Sequence, residues 1–139
     1  MPDGYRSDCT RNYVIGEPPH AYREAFEVLL HAQEAARLFA RSGVTAASVD
    51  SAARDVLAAA GLGDEFIHRT GHGIGLETHE EPYIVQGSSR VIECGNAFSI
   101  EPGFYRVGEF GARIEDIVLC TEQGIESVNN RPRDVVIVE

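Results

Sequence analysis

Residues 66–82 read FIHRTGHGIGLETHEEP, and they hold three of the chain's five histidines, His68, His72 and His79, among three glycines and a run of acids. The steps of four and then seven residues do not match the helical HExxH zinc motif, and the intervening glycines disfavour a helix. Gly71, Gly73 and Gly75 instead permit a tight loop in which backbone and side chains approach a ligand closely. One histidine beside glycines is ordinarily a satisfied structural residue. Three together with flanking acids mark a functional site.

This stretch also divides the chain. On its N-terminal side, Tyr22, Phe26, Leu29, Ala32, Ala36, Phe39 and Ala40 recur at helical spacing, which predicts a helix from about Pro19 to Arg41 with Gly43 as its stop. A second helix is expected from about Ala47 to Ala60, ended by Gly61. Both read as scaffold. Before them, Gly4 to Ile15 can supply a strand that Gly16-Glu17-Pro18-Pro19 breaks. On the C-terminal side, β-type runs follow at Asn96–Tyr105, Ala112–Thr121 and Asp134–Val138, with turn signals between them. Helices first and strands afterwards predict an α+β sandwich, its helices covering one face of a mainly antiparallel sheet.

The 139 residues suit one compact domain, and 43% hydrophobic content suffices for a core. Twelve basic against twenty-two acidic residues give a net charge of −10, which argues against nucleic acid or an anionic membrane as partner. Cys9, Cys94 and Cys120 are dispersed and odd in number, so they read as reduced thiols acting as small buried hydrophobes. No secretory signal or spanning segment is evident, and a cytoplasmic location is the expectation.

Beyond the histidine window, two glutamates and an aspartate stand out. Glu101 ends the run Phe98-Ser99-Ile100 and precedes Pro102-Gly103, which places an acid at a strand end. Glu115 lies in GARIEDIVL, where alternation puts Arg113, Glu115, Ile117 and Leu119 on one face. A carboxylate among such neighbours is either bound to something or paired, here with Arg113. Asp8, in GYRSDCTR, is either a further ligand or a solvated acid beside Arg6 and Arg11. Taken together, Asp8, His72, Glu101 and Glu115 make an oxygen-rich set with one imidazole, which suits Mn²⁺, Fe²⁺ or Co²⁺ better than a thiolate-type structural zinc site.

GYRSDCTR, HRTGHGIGLETHEEP, FSIEPGFY and GARIEDIVL resemble, in order, the signature blocks of the pita-bread metallopeptidases: Xaa-Pro dipeptidase, aminopeptidase P, methionine aminopeptidase and the related creatinase. The short interval between Glu101 and Glu115 looks more like the Xaa-Pro peptidase branch. The resemblance implies the C-terminal half of a pita-bread fold, two helices against a mainly antiparallel curved sheet. It also implies two divalent metal ions, Mn²⁺ first and Co²⁺, Fe²⁺ or Zn²⁺ as alternatives. On this reading Asp8 and Glu115 bridge the metals, and His72 and Glu101 complete the ligands present. His68 and His79 position the substrate and stabilise the tetrahedral intermediate, while Arg113 and Thr10 orient carboxylates. The implied reaction is metal-assisted hydrolysis of the N-terminal peptide bond before proline, with Glu101 moving the proton and His79 donating to the oxyanion.

The family's first aspartate belongs upstream of Asp8, before this chain starts, and so does the first half of its pseudo-symmetric catalytic domain. Residues 1–139 are therefore expected to be a truncated catalytic domain, weak or inactive on its own. Its exposed sheet edge favours self-association or a homo-oligomer. Two rival readings are a non-catalytic peptide- or protein-binding module on the same fold and a creatinase-like C–N hydrolase.

Overall fold

The computed structural model describes residues 2–139. Helix α1 runs His20–Phe39, inside its expected range, and α2 runs Ala46–Ala59, one residue ahead of its expected bounds at both ends. The α1 stripe Tyr22, Ala25, Phe26, Leu29, Ala32 and Ala36 is buried. The helix stops at Ala40, whose backbone is extended, three residues before Gly43. The Thr45 side chain accepts from the Ser48 N–H and so caps the start of α2. The two helices pack on each other and cover one side of the sheet system.

After a short β1, Tyr13–Ile15, the other strands all follow the helices: β2 (Gly71–Gly73), β3 (Glu80–Ile84), β4 (Ala97–Ile100), β5 (Gly103–Arg106), β6 (Phe110–Arg113), β7 (Asp116–Thr121), β8 (Gly124–Ser127) and β9 (Val136–Val138). Five of them form an antiparallel sheet in the order β3-β2-β4-β7-β8, and β5-β6 is a separate hairpin. The α+β expectation holds, with one parallel exception: β1 pairs with β9, Tyr13 opposite Val136. The core lies between helices and sheet, where Leu29, Leu57, Ile84, Phe98, Phe104, Ile114 and Val118 are fully buried. No helix among the described residues is long and apolar enough to cross a membrane.

Several expectations need correction. Gly71-His72-Gly73 is not a loop but the buried strand β2, wedged between β3 and β4. Its glycines are required by proximity: a Cβ on Gly71 would stand 1.9 Å from the Ser99 carbonyl oxygen, and one on Gly73 2.3 Å from that of Glu81. Only Tyr13–Ile15 of the stretch from Gly4 to Ile15 is a strand. β8 was concealed by its turn-like start, Glu122-Gln123-Gly124. Of the cysteines only Cys120 is a buried hydrophobe; Cys9 and Cys94 are exposed, and all three are free thiols. On the far edge, Ile15 is 88% exposed and Val136–Val138 are all open to solvent, leaving an apolar border at β1 and β9.

The helices are also more than scaffold. Asp50 sits on the buried stripe of α2 between Val49 and Ala53 and is completely buried. It accepts from Arg54 Nε and Nη2 at 2.9 and 3.0 Å, and from the Thr70 N–H and hydroxyl at 3.1 and 2.8 Å. Arg54 in turn donates to the carbonyls of Phe66 and His68 at 3.1 and 3.0 Å and stacks over the Phe66 ring. The two residues thus hold the backbone that leads into β2.

Two stability measurements follow. Gly71→Ala should cost about 3 kcal/mol in urea unfolding, because β4 must yield, whereas Gly87→Ala, with open space but φ +81, should cost only about 1 kcal/mol. Asp50→Ala leaves Arg54 without its buried partner and should cost about 3–5 kcal/mol by the same assay.

Candidate metal centre

Four segments converge at one side of the sheet. Asp8 comes from the irregular N-terminal stretch, His72 from β2, Glu101 from the residue after β4 and Glu115 from the link between β6 and β7. Asp8, His72 and Glu115 each offer a ligand atom, and these atoms lie within 4.8 Å of one another. Glu101 joins the group through His72, whose Nε2 is 3.1 Å from Glu101 Oε1.

Strand alternation accounts for the placement of Glu101. Phe98 and Ile100 point into the core, so Ser99 and Glu101 point to the opposite side. Ser99 Oγ accepts from the His72 N–H at 2.9 Å and donates to Glu101 Oε1 at 3.0 Å, which couples β2 to β4 at the site. The Glu101 N–H donates to the Thr70 carbonyl at 2.7 Å, so the Asp50 network reaches this acid too. His72 Nδ1 lies 3.0 Å from the Gly73 carbonyl, which can only accept, so Nδ1 carries the proton and Nε2 is the atom turned toward the carboxylates.

Burial and neighbouring charges compete at His72, Glu101 and Glu115. Burial works against a charged His72, yet its hydrogen bond to Glu101, the Gly73 carbonyl and the Glu101 charge together raise its pKa. Burial likewise opposes a charged Glu101, but bonds from His72 and Ser99 and the charges of His72 and Arg113 lower its pKa overall. Glu115 goes the other way. Burial raises its pKa, the like charges of Glu101 and Asp8 add to the rise, and Thr10 and Arg113 offset only part of it. Three carboxylates therefore meet with too little positive charge between them. Hard oxygen donors with one imidazole are what a divalent cation such as Mn²⁺ takes, so the residues fit the ion that the sequence resemblance implies.

The arginine pairings considered for Glu115 and Asp8 are not formed. Among the described residues Arg113 makes no ion pair with Glu115. Arg113 Nε donates to Thr10 Oγ1 at 3.2 Å, Thr10 Oγ1 donates to Glu115 Oε2 at 2.5 Å, and Arg113 Nε is 3.9 Å from Glu101 Oε2. Asp8 is half-buried, and its carboxylate pairs with neither Arg6 nor Arg11; it accepts the Cys9 N–H at 3.0 Å.

His68, Arg69, His79, Val85, Glu101 and Arg113 line a cleft of about 540 Å³ beside the four donors. His79 is exposed, with its ring 4.2 Å from that of His72. His68 is held at both nitrogens, Nδ1 at 2.7 Å from the Arg69 carbonyl and Nε2 at 2.8 Å from the Tyr105 hydroxyl. Its Nε2 therefore accepts from Tyr105. Tyr105, Ser99 and Asp50 were missed by the sequence reading. Asp50 alone carried a signal, an acid on an otherwise apolar helical stripe.

Comparison with known proteins identifies the family and the fold. The profile of Metallopeptidase family M24 matches residues 1–122. The crystal structure of dipeptidase PepE from Mycobacterium ulcerans superposes with a TM-score of 0.96 at 58% identity, over 99% of this chain and 37% of that one. The Xaa-Pro dipeptidase of Lactobacillus helveticus is 47% identical over 99% of this chain and 38% of its own length. That of Pyrococcus furiosus is 44% identical over 95% and 38%. The chain thus spans little more than a third of the relatives it matches, and its two helices and antiparallel sheet are part of their pita-bread architecture. With the family profile covering residues 1–122 of its 139, the chain belongs to Metallopeptidase family M24.

Proposed function

We propose that residues 1–139 form the metal-binding part of a catalytic domain of Xaa-Pro dipeptidase or aminopeptidase P type, which hydrolyses the N-terminal peptide bond before proline. The observation that carries this reading is the convergence of Asp8, His72 and Glu115 within 4.8 Å, with Glu101 bonded to His72. The relatives named Xaa-Pro dipeptidase support the substrate class. Asp8, His72, Glu101 and Glu115 would hold the ion, with Mn²⁺ first and Co²⁺, Fe²⁺ or Zn²⁺ as alternatives. A divalent ion bound there supplies Lewis acidity and a hydroxide nucleophile near neutral pH.

The protein groups divide the remaining work. Glu101, whose pKa is lowered, is ionised at neutral pH and takes the proton that must pass to the leaving amine. His79 is exposed beside His72 and donates to the developing oxyanion from the cleft. His68, oriented by Tyr105, packs against the substrate. Arg113 works through Thr10 to fix Glu115. A proline amide carries no N–H, so its selection rests on cleft shape and imidazole contacts. One imidazole and three carboxylates suffice for a single ion, and hydrolysis by this chain alone is weak. The open apolar border at β1 and β9 supports self-association. Three free thiols, Cys9, Cys94 and Cys120, accord with a reducing, cytoplasmic setting.

Calorimetric titration with Mn²⁺ should show one ion per chain, with affinity falling at least about 100-fold in Glu115→Gln and in His72→Ala; silent titration of the wild type would favour the metal-free binding module. With Mn²⁺ and an Xaa-Pro dipeptide, proline release should be slow and drop about 10²-fold or more in Glu101→Gln. Fast release by the wild type would refute the weakness of the isolated chain, and turnover of creatine but not of the dipeptide would refute the peptidase assignment.

A further inference from the structure

The residues after β8 lie outside the stretch matched by the family profile and mostly at the surface, yet they reach the metal centre from behind. Asn129 Nδ2 donates to the Asp8 carbonyl at 3.0 Å, while its Oδ1 accepts the Ile117 N–H at 2.6 Å. One side chain thereby ties the backbone of Asp8 to β7, two residues after Glu115. The Arg131 carbonyl accepts from Arg11 Nη2 at 2.9 Å, and Arg11 Nη1 donates to the carbonyls of Thr10 and Glu115 at 2.8 and 2.7 Å.

Asp8 needs such a tether. Residues 5–9 belong to no helix or strand; backbone bonds hold the flanks, the Arg6 N–H to the Gly75 carbonyl at 2.8 Å and the Glu115 N–H to the Thr10 carbonyl at 3.3 Å, but no strand ladder runs through Asp8 as β2 runs through His72. Asp8 and Glu115 repel each other, and without an ion nothing in their side chains opposes separation. We propose that Asn129 is a positioning residue that holds Asp8 at coordination distance from Glu115 before any metal arrives. Metal affinity then depends on an amide that never contacts the ion. This rests on the assignment of Asp8, His72, Glu101 and Glu115 as ligands.

The test is calorimetric titration of the whole chain with Mn²⁺, alongside thermal melting of the metal-free forms. Asn129→Ala should weaken binding about tenfold or more at unchanged stoichiometry. Asn129→Gln, which keeps both polar groups but displaces them by a methylene, should do the same and serves if the alanine form fails to fold. Thr45→Ala, which removes the cap of α2 far from the site, supplies a destabilised control and should bind Mn²⁺ like the wild type. Wild-type affinity in the Asn129 variants, with binding lost in Glu115→Gln, would overturn the tether alone. An equal loss in Thr45→Ala would reduce it to general stability. A wild type that binds no Mn²⁺ would remove the ligand assignment and the tether with it.

Discussion

The centre depends on keeping three carboxylates and one imidazole together where most of them are shielded from water. Glu115 and His72 are almost entirely buried and Glu101 nearly so, and burial first, with the charges of Glu101 and Asp8 added to it, raises the pKa of Glu115. Groups so placed separate unless their backbones are fixed independently. The fold does this with neutral hydrogen bonds and distant cations. Ser99 joins His72 to Glu101, Thr10 carries the influence of Arg113 to Glu115, and Asn129 secures Asp8. Arg113 Nε, 3.9 Å from Glu101 Oε2, is set against one of the acids, while Asp8 and Glu115 pair with no cationic side chain among the described residues.

The same economy explains the buried charges that take no part in coordination. Asp116 follows Glu115 directly, but alternation turns it toward the helices, where Arg11 and Arg133 contact it at 2.6 and 2.5 Å and Gln33 at 3.2 Å. Adjacent acids thus face opposite sides, one neutralised by two guanidiniums and the other bonded, among the described residues, only to the Thr10 hydroxyl. Asp50 does for the 66–70 backbone what Asp116 does for the strand end. It absorbs Arg54 and both donors of Thr70, and so sets the approach to His72 from the helix side.

Much of this was legible beforehand, and the limits were physical. The helices followed from apolar spacing, and the α+β order from the change of character after Gly61. Each candidate ligand stood in a short distinctive block whose residue types narrow the chemistry. Gly71-His72-Gly73 was misread because glycine signals permission, not outcome: the same three residues suit a loop or a strand squeezed between neighbours, and only the closeness of Ser99 and Glu81 decides. Asn129 and Tyr105 were invisible because a lone polar residue in a loop or hairpin acquires meaning only from what the fold sets opposite it. The exposed Cys9 and Cys94 show the converse, a residue type with a strong burial preference placed where no core exists to receive it.

Division of labour between the two sides of the sheet follows from strand geometry. In β4 the period of two assigns Phe98 and Ile100 to the core and Ser99, with Glu101 after it, to the site, so a single short strand both anchors the helices and presents the acid. β2 has no such freedom. Its flanking glycines leave no side chain on either side of His72, so β3 and β4 close in and the imidazole is held between the Gly73 carbonyl at Nδ1 and Glu101 at Nε2. A ligand fixed in that way cannot drift when the ion is absent, whereas Asp8, on an irregular segment, can. On the proposed ligand assignment, the centre combines a rigid pole at His72 with a tethered one at Asp8, and its readiness for a cation is set by the less constrained of the two.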